Sequence, residues 1–104
     1  MNNTEGLKKI VNYWIGKATE SLKSAEDELK AGRLSFSVNR IYYYSCFYIV
    51  SAWLLQNRFK FKKHSGVRSA FHMHIVKPDL INRKYGEFYD ELFEARQEEI
   101  ILNL

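Results

Sequence analysis

This sequence has little of what catalytic or extracellular chains usually display. Cysteine occurs once, at Cys46, in 104 residues. That excludes an intramolecular disulfide framework and fits a reducing compartment. Cys46 lies among aromatics with no base beside it, so it reads as a small buried hydrophobe rather than a nucleophile. Proline also occurs once, at Pro78. There is no glycine-rich phosphate loop, no Ser-His-Asp spacing and no helix-turn-helix with a convincing recognition helix. His64, His72 and His74 lack a completing cysteine or carboxylate pair. His72 and His74 are also two apart on a predicted helix and diverge, so no metal site and no cofactor is expected. No segment alternates with period two, so no sheet is expected. The longest apolar run, Ile41 to Leu55, is too short to span a bilayer and carries several hydroxyls. The N-terminal MNNTEGLKK is polar and charged, unlike a signal peptide. The expected setting is the cytoplasm, away from membranes.

What is present is a helical, aromatic-rich chain. Apolar residues make up 46% and aromatics 15%, enough for one domain over residues 1–104 with its own core. Residues 1–31 hold five basic and five acidic side chains. Residues 32–84 hold ten basic and one acidic, and residues 85–104 hold one basic and six acidic. The middle is therefore a candidate anion-binding surface. The acidic end could lie on it, on a second subunit, or away from both.

Periodicity predicts four helices. The first runs from about Thr4 to Ala31, with Leu7, Val11, Trp14/Ile15, Ala18, Leu22, Ala25 and Leu29 inward. Gly16 permits close packing or a kink, and Gly32 is a natural C-cap. The second runs from Ser35 or Ser37, either of which can cap it, to about Asn57. It is apolar on nearly every face, which places it inside a bundle against several neighbours. The third spans about Ser65 to Val76 and ends at Lys77-Pro78-Asp79, because proline disfavours helical geometry in the residue before it. The fourth runs from about Leu80 to at least Glu98. Short connections between long helices predict an all-α, antiparallel up-and-down bundle.

Three places could carry chemistry. Arg40 interrupts the apolar second helix, so it either pairs with Glu91 or Glu94 or contacts a phosphate, together with its neighbour Asn39. Arg96 lies inward on the fourth helix and either pairs with Glu99 or Asp90 or belongs to a site. The connection carrying Arg58, Lys60, Lys62, Lys63, His64 and Arg68 interleaves cations with Phe59 and Phe61. Such a pattern can grip a single nucleic-acid strand. Alternatively the two rings dock on the core and the lysines stay in water.

Several segments in order carry a resemblance. They are Gly32-Arg33, the run Ser37-Val38-Asn39-Arg40-Ile41-Tyr42-Tyr43, Lys63-His64-Ser65-Gly66-Val67, and Leu92-Phe93-Glu94-Ala95-Arg96-Gln97. From about Ala18 to Arg96 the chain resembles a HEPN domain, a small helical nucleotide-associated module. The resemblance implies four or five antiparallel helices, a homodimer, and a link to nucleotides or RNA. It also implies a nucleotidyltransferase partner in a toxin–antitoxin pair. In the catalytic branch of the family, an arginine followed four to six residues later by histidine forms a metal-independent RNase site. Here Arg96 is followed by Gln97 to Leu104 with no histidine. The Asp-Tyr pair of many non-catalytic members is replaced by Ile100 and Ile101. Many relatives also continue into a further helix, whereas IILNL here is expected to pack into the bundle or reach a second subunit. The leading expectation is a non-catalytic module that binds nucleotide, RNA or a partner protein. Asn39, Arg40, His64 and Arg96 would serve with Arg58, Lys60, Lys62 and Lys63. The alternatives are an RNase toxin and a pure dimerisation or interaction scaffold.

Overall fold

Two seven-residue stripes decide how the long helices meet. Val11, Ala18 and Ala25 are buried on one, and Val38, Ser45 and Ala52 on the other. A spacing of seven keeps one face toward a single neighbour, and small side chains let the backbones approach closely. The computed structural model describes residues 3–33 and 35–102, with side chains at 4–33 and 38–96. Helix α1 is Asn3–Lys30 and α2 is Ser35–Gln56. They run antiparallel. Ser45 Oγ donates to the Ala18 carbonyl at 2.8 Å, and Trp14 packs on Tyr48 with ring centroids 5.4 Å apart. That hydrogen bond satisfies a buried hydroxyl at the helix crossing.

Helix α3 is His64–Phe71, and α4 is Arg83–Leu102. Helix α2 touches α1, α3 and α4, while among the described residues α2 is the one helix that α1 packs on. The apolar central helix thus holds the bundle together, and the all-α architecture follows the periodicity. Tyr43, Leu54, Phe71, Tyr89, Leu92 and Phe93 form the heart of the core. No helix among the described residues is long and apolar enough to cross a membrane.

The first helix departs from expectation in one respect. Ile15, Leu22 and Leu29 point outward, exposed at 40%, 42% and 57%. With α2 as its one covering helix among the described residues, α1 buries one narrow stripe, and the second apolar line is exposed. Gly16 is likewise exposed, and a Cβ there would meet nothing within 4 Å. It neither mediates close packing nor breaks the helix. Gly16→Ala is therefore expected to stabilise the fold by about 1 kcal/mol, read as a higher midpoint in urea.

Three helical segments end in the same turn. At Gly32 (φ 74°), Arg33 N–H bonds the Glu28 carbonyl and Gly32 N–H the Leu29 carbonyl. This is the left-handed cap expected of that glycine. Arg58 (φ 66°) and Asp79 (φ 62°) close α2 and the next helical segment with the same pair of bonds. A non-glycine residue in this conformation costs about 1–2 kcal/mol.

The third helical segment ends at Val76, ahead of Pro78 as the sequence predicts, but its last turn is not α-helical. It widens into a π-helical turn, His72–Val76, with Lys77 N–H bonded to the His72 carbonyl at 2.8 Å. Lys77 keeps right-handed helical geometry. Proline's ring crowds the carbonyl four residues back, and a wider turn relieves that clash. A turn over residues 77–79 follows, and α4 starts at Arg83 rather than Leu80. Gly86 of α4 is buried against this turn, where a Cβ would lie 2.9 Å from His72 Cε1. The Ser35 and Ser37 caps, and the contacts expected of Ile100 to Leu104, fall outside the described side chains.

Candidate functional site

Helix α2 presents Tyr43, Tyr44 and Phe47 toward the start of α3 and the C-terminal half of α4. Tyr43 is fully buried, and its hydroxyl lies 2.8 Å from His64 Nδ1. The His64 ring stacks on Phe47 at 4.1 Å and 8°. These two contacts fix the imidazole although it stands at the first position of its helix. Among the described residues no hydrogen bond engages its Nε2. Burial, and then the charge of Arg96, hold the His64 pKa below its ordinary 6.5, so the ring is neutral at pH 7.

Arg96 comes from α4. Its guanidinium carbon lies 4.9 Å from the Tyr43 ring centroid and 5.7 Å from that of Phe93. Nη1 donates a long bond, 3.5 Å, to the Tyr44 hydroxyl. Nε is buried with no hydrogen-bond partner. Among the described residues no carboxylate pairs with Arg96. The Asp90 expected as its partner lies instead 3.7 Å from Arg68 and 2.9 Å from His72. The side chain of Glu99, the other expected partner, is outside the described residues. Arg68 contrasts sharply with Arg96. It sits 4.5 Å over Phe93, flanked by Asp90 and by Glu94 at 3.9 Å. The acidic end of the chain therefore does reach the basic middle, and it does so at Arg68.

Burial raises the Tyr43 phenol, and it raises Tyr89 further, with the neighbouring Tyr43 adding to the shift. Both stay protonated. The Tyr89 hydroxyl is close enough to couple to Tyr43 but lacks hydrogen-bond geometry. Burial also pushes the Cys46 thiol up, which suits a packed hydrophobe and not a nucleophile.

The structure therefore brings His64 and Arg96 into one site, joined by Tyr43. Arg40 is half-buried one helical turn before Tyr44, on the same side of α2. The α2 side chains that meet Arg96 are Tyr43 and Tyr44, one turn further on than the Asn39-Arg40 step. Asn39 itself is exposed. Arg58, Lys60, Lys62 and Lys63 are exposed along the connection between α2 and α3. Aromatic residues in an apolar helix read as packing, and only the offsets of three, four and seven residues from Arg40 mark Tyr43, Tyr44 and Phe47 as more. No group of three or more His, Cys, Asp or Glu able to hold a metal is gathered among the described residues.

The family model for the HEPN domain matches residues 11–99. This chain belongs to the HEPN domain family. A UPF0332 protein of Thermotoga maritima is 46% identical over 97 residues, covering 93% of this chain and 70% of the relative. A protein of Methanocaldococcus jannaschii, provisionally named a toxin, is 36% identical over 90 residues, covering 86% of this chain and 60% of the relative. A UPF0332 protein of Pyrococcus horikoshii is 39% identical over 69 residues, covering 66% of this chain and 48% of the relative. No solved structure matches the chain. In this HEPN chain Arg96 and His64, from two different helices, meet around Tyr43.

The His64 environment makes stability pH-dependent. The unfolded chain takes up this proton more readily than the folded one. The contribution is therefore complete above about pH 6.5 and is lost as pH falls toward the lower folded value. Urea midpoints from pH 7.5 down to pH 5 should fall, and should fall less steeply for His64→Gln.

Proposed function

We propose that this HEPN domain binds RNA, with a backbone phosphate held by Arg96 and His64. The observation that carries this reading is the state of Arg96. A half-buried guanidinium is held over Tyr43 and close to Phe93, with Nε lacking a partner and no acid beside it among the described residues. Such a group costs free energy until an anion supplies the missing acceptors. A phosphate matches its planar fork. Neutral His64 offers Nε2 next to it, and a phosphate favours protonation of that ring, so affinity rises as pH falls. The exposed cations of the α2–α3 connection extend the positive surface along a strand. Titrating a fluorescent single-stranded RNA at two salt concentrations tests this, and salt-sensitive binding is expected. Absence of such binding would remove the reading.

His64 beside Arg96 favours a second reading, metal-independent RNA cleavage. The histidine would take the 2′-hydroxyl proton as that oxygen attacks phosphorus, forming a 2′,3′-cyclic phosphate and expelling the 5′-oxygen, which takes up a proton from water. Arg96 would stabilise the charge on the phosphorane. Digestion of total RNA in EDTA decides it, because wild type and Arg96→Ala acting equally would exclude this centre. The relative provisionally named a toxin supports a toxin–antitoxin role, with a nucleotidyltransferase as partner, and co-purification with a neighbouring gene product tests that. The outward line of Ile15, Leu22 and Leu29 supports a homodimer through α1. Light scattering should then give a dimer for wild type and a monomer for Leu22→Glu, and equal masses would count against it.

A further inference from the structure

Beside the Arg96–His64 site lies a concavity. It has a volume of about 280 Å³ and is bounded by α1, α2 and the α2–α3 connection. Phe47 borders it, and this is the ring that stacks on His64. The two sites are therefore one aromatic ring apart. Phe59 and Phe61 also line it, together with the exposed Lys60 and Lys62. The Ser51 hydroxyl, also in the lining, is buried with no hydrogen-bond partner.

The two phenylalanines of the connection behave differently. Phe59 packs against the core and stacks on His74 at 4.3 Å. Phe61 is 43% exposed, an apolar ring in water between two lysines. Its inner side covers Gly66, where a Cβ would lie 3.2 Å from the Phe61 Cδ1. The outer part of the ring has no such cover.

We infer that this concavity is a base subsite, which takes the nucleobase adjoining the phosphate held at Arg96. The inference rests on the RNA-binding reading above and names what surrounds the phosphate. Aromatic walls suit a flat π-face of any base. The volume, at the small end of ligand pockets, suits a single ring system better than a peptide or an acyl chain. The Ser51 hydroxyl can donate to or accept from a base edge, and a bound base would satisfy it. Lys60 and Lys62 stand where flanking phosphates would run.

The test uses isotope-labelled protein titrated with adenosine 5′-monophosphate and, separately, with ribose 5-phosphate. Binding tenfold or more tighter for the nucleotide is expected. Its amide shifts should reach Ser51 and Phe61, whereas those from ribose 5-phosphate should stay around His64 and Arg96. In Phe61→Ala, which removes an exposed ring and should fold, the preference should disappear while ribose 5-phosphate binding persists. Ser51→Ala should reduce the preference partly. Equal affinity for the two ligands in wild type, with shifts at Arg96, would overturn the base subsite and leave the phosphate site standing. No binding of either would overturn both.

Discussion

Tyr43→Ala is expected to cost about 3–5 kcal/mol, the range for removing a buried aromatic ring. Tyr43 is fully buried and meets Tyr44, Phe47, His64, Tyr89 and Phe93 ring to ring. No neighbour can collapse into that space without breaking several of these contacts. A domain of this size has roughly 5–15 kcal/mol in total, so the variant should melt on the order of 20 °C lower. Tyr43→Phe separates packing from chemistry. It keeps the ring and removes the hydroxyl, leaving His64 Nδ1 without its partner at a cost of about 1–2 kcal/mol. Calorimetry on the two variants should therefore give a large loss and a small one. Similar losses in both would mean that the hydroxyl, not the ring, holds the core.

Arg96→Ala should have the largest effect on RNA affinity, a loss of roughly tenfold or more with the slope of log K against log salt reduced by about one. Its effect on stability should be small. The guanidinium sits over Tyr43 and close to Phe93, a contact worth about 0.5–2 kcal/mol, but its removal also relieves the Nε atom and the positive charge beside His64. Arg96→Lys should recover only part of the affinity, because an ammonium cannot replace the fork. Binding assays at two salt concentrations, with urea titrations alongside, distinguish a ligand-binding arginine from a structural one.

The helix–helix seam was legible in the sequence. Spacings of seven from Val11 to Ala25 and from Val38 to Ala52 mark the faces that meet, and the uniformly apolar α2 marks the centre. Periodicity shows which side of a helix is apolar but not how many neighbours cover it, so it turns Ile15, Leu22 and Leu29 inward although α2 is the one helix on α1 among the described residues. The rule for the residue before proline marked the end of the third helix at Val76, where it lies, but not the wider hydrogen-bonding pattern of its last turn. For the site, Arg96 stood out through the family's motif helix. The meeting of His64 with Arg96 did not, because the two are 32 positions apart on different helices and converge only through Tyr43. Nor did the exposed ring of Phe61 separate itself from Phe59, since both occupy similar positions in an alternating basic and aromatic run.

The central claim is that Arg96 and His64 hold one phosphate, and the proton on His64 reports it most directly. The imidazole Cε1–H resonance of His64, followed through a pH titration, should give a pKa below 6.5 in the protein alone. Adding single-stranded RNA should raise it, because a phosphate stabilises the imidazolium. The same RNA should leave it unchanged in Arg96→Ala. A His64 pKa that stays the same on saturation of the wild-type protein with RNA would contradict the account.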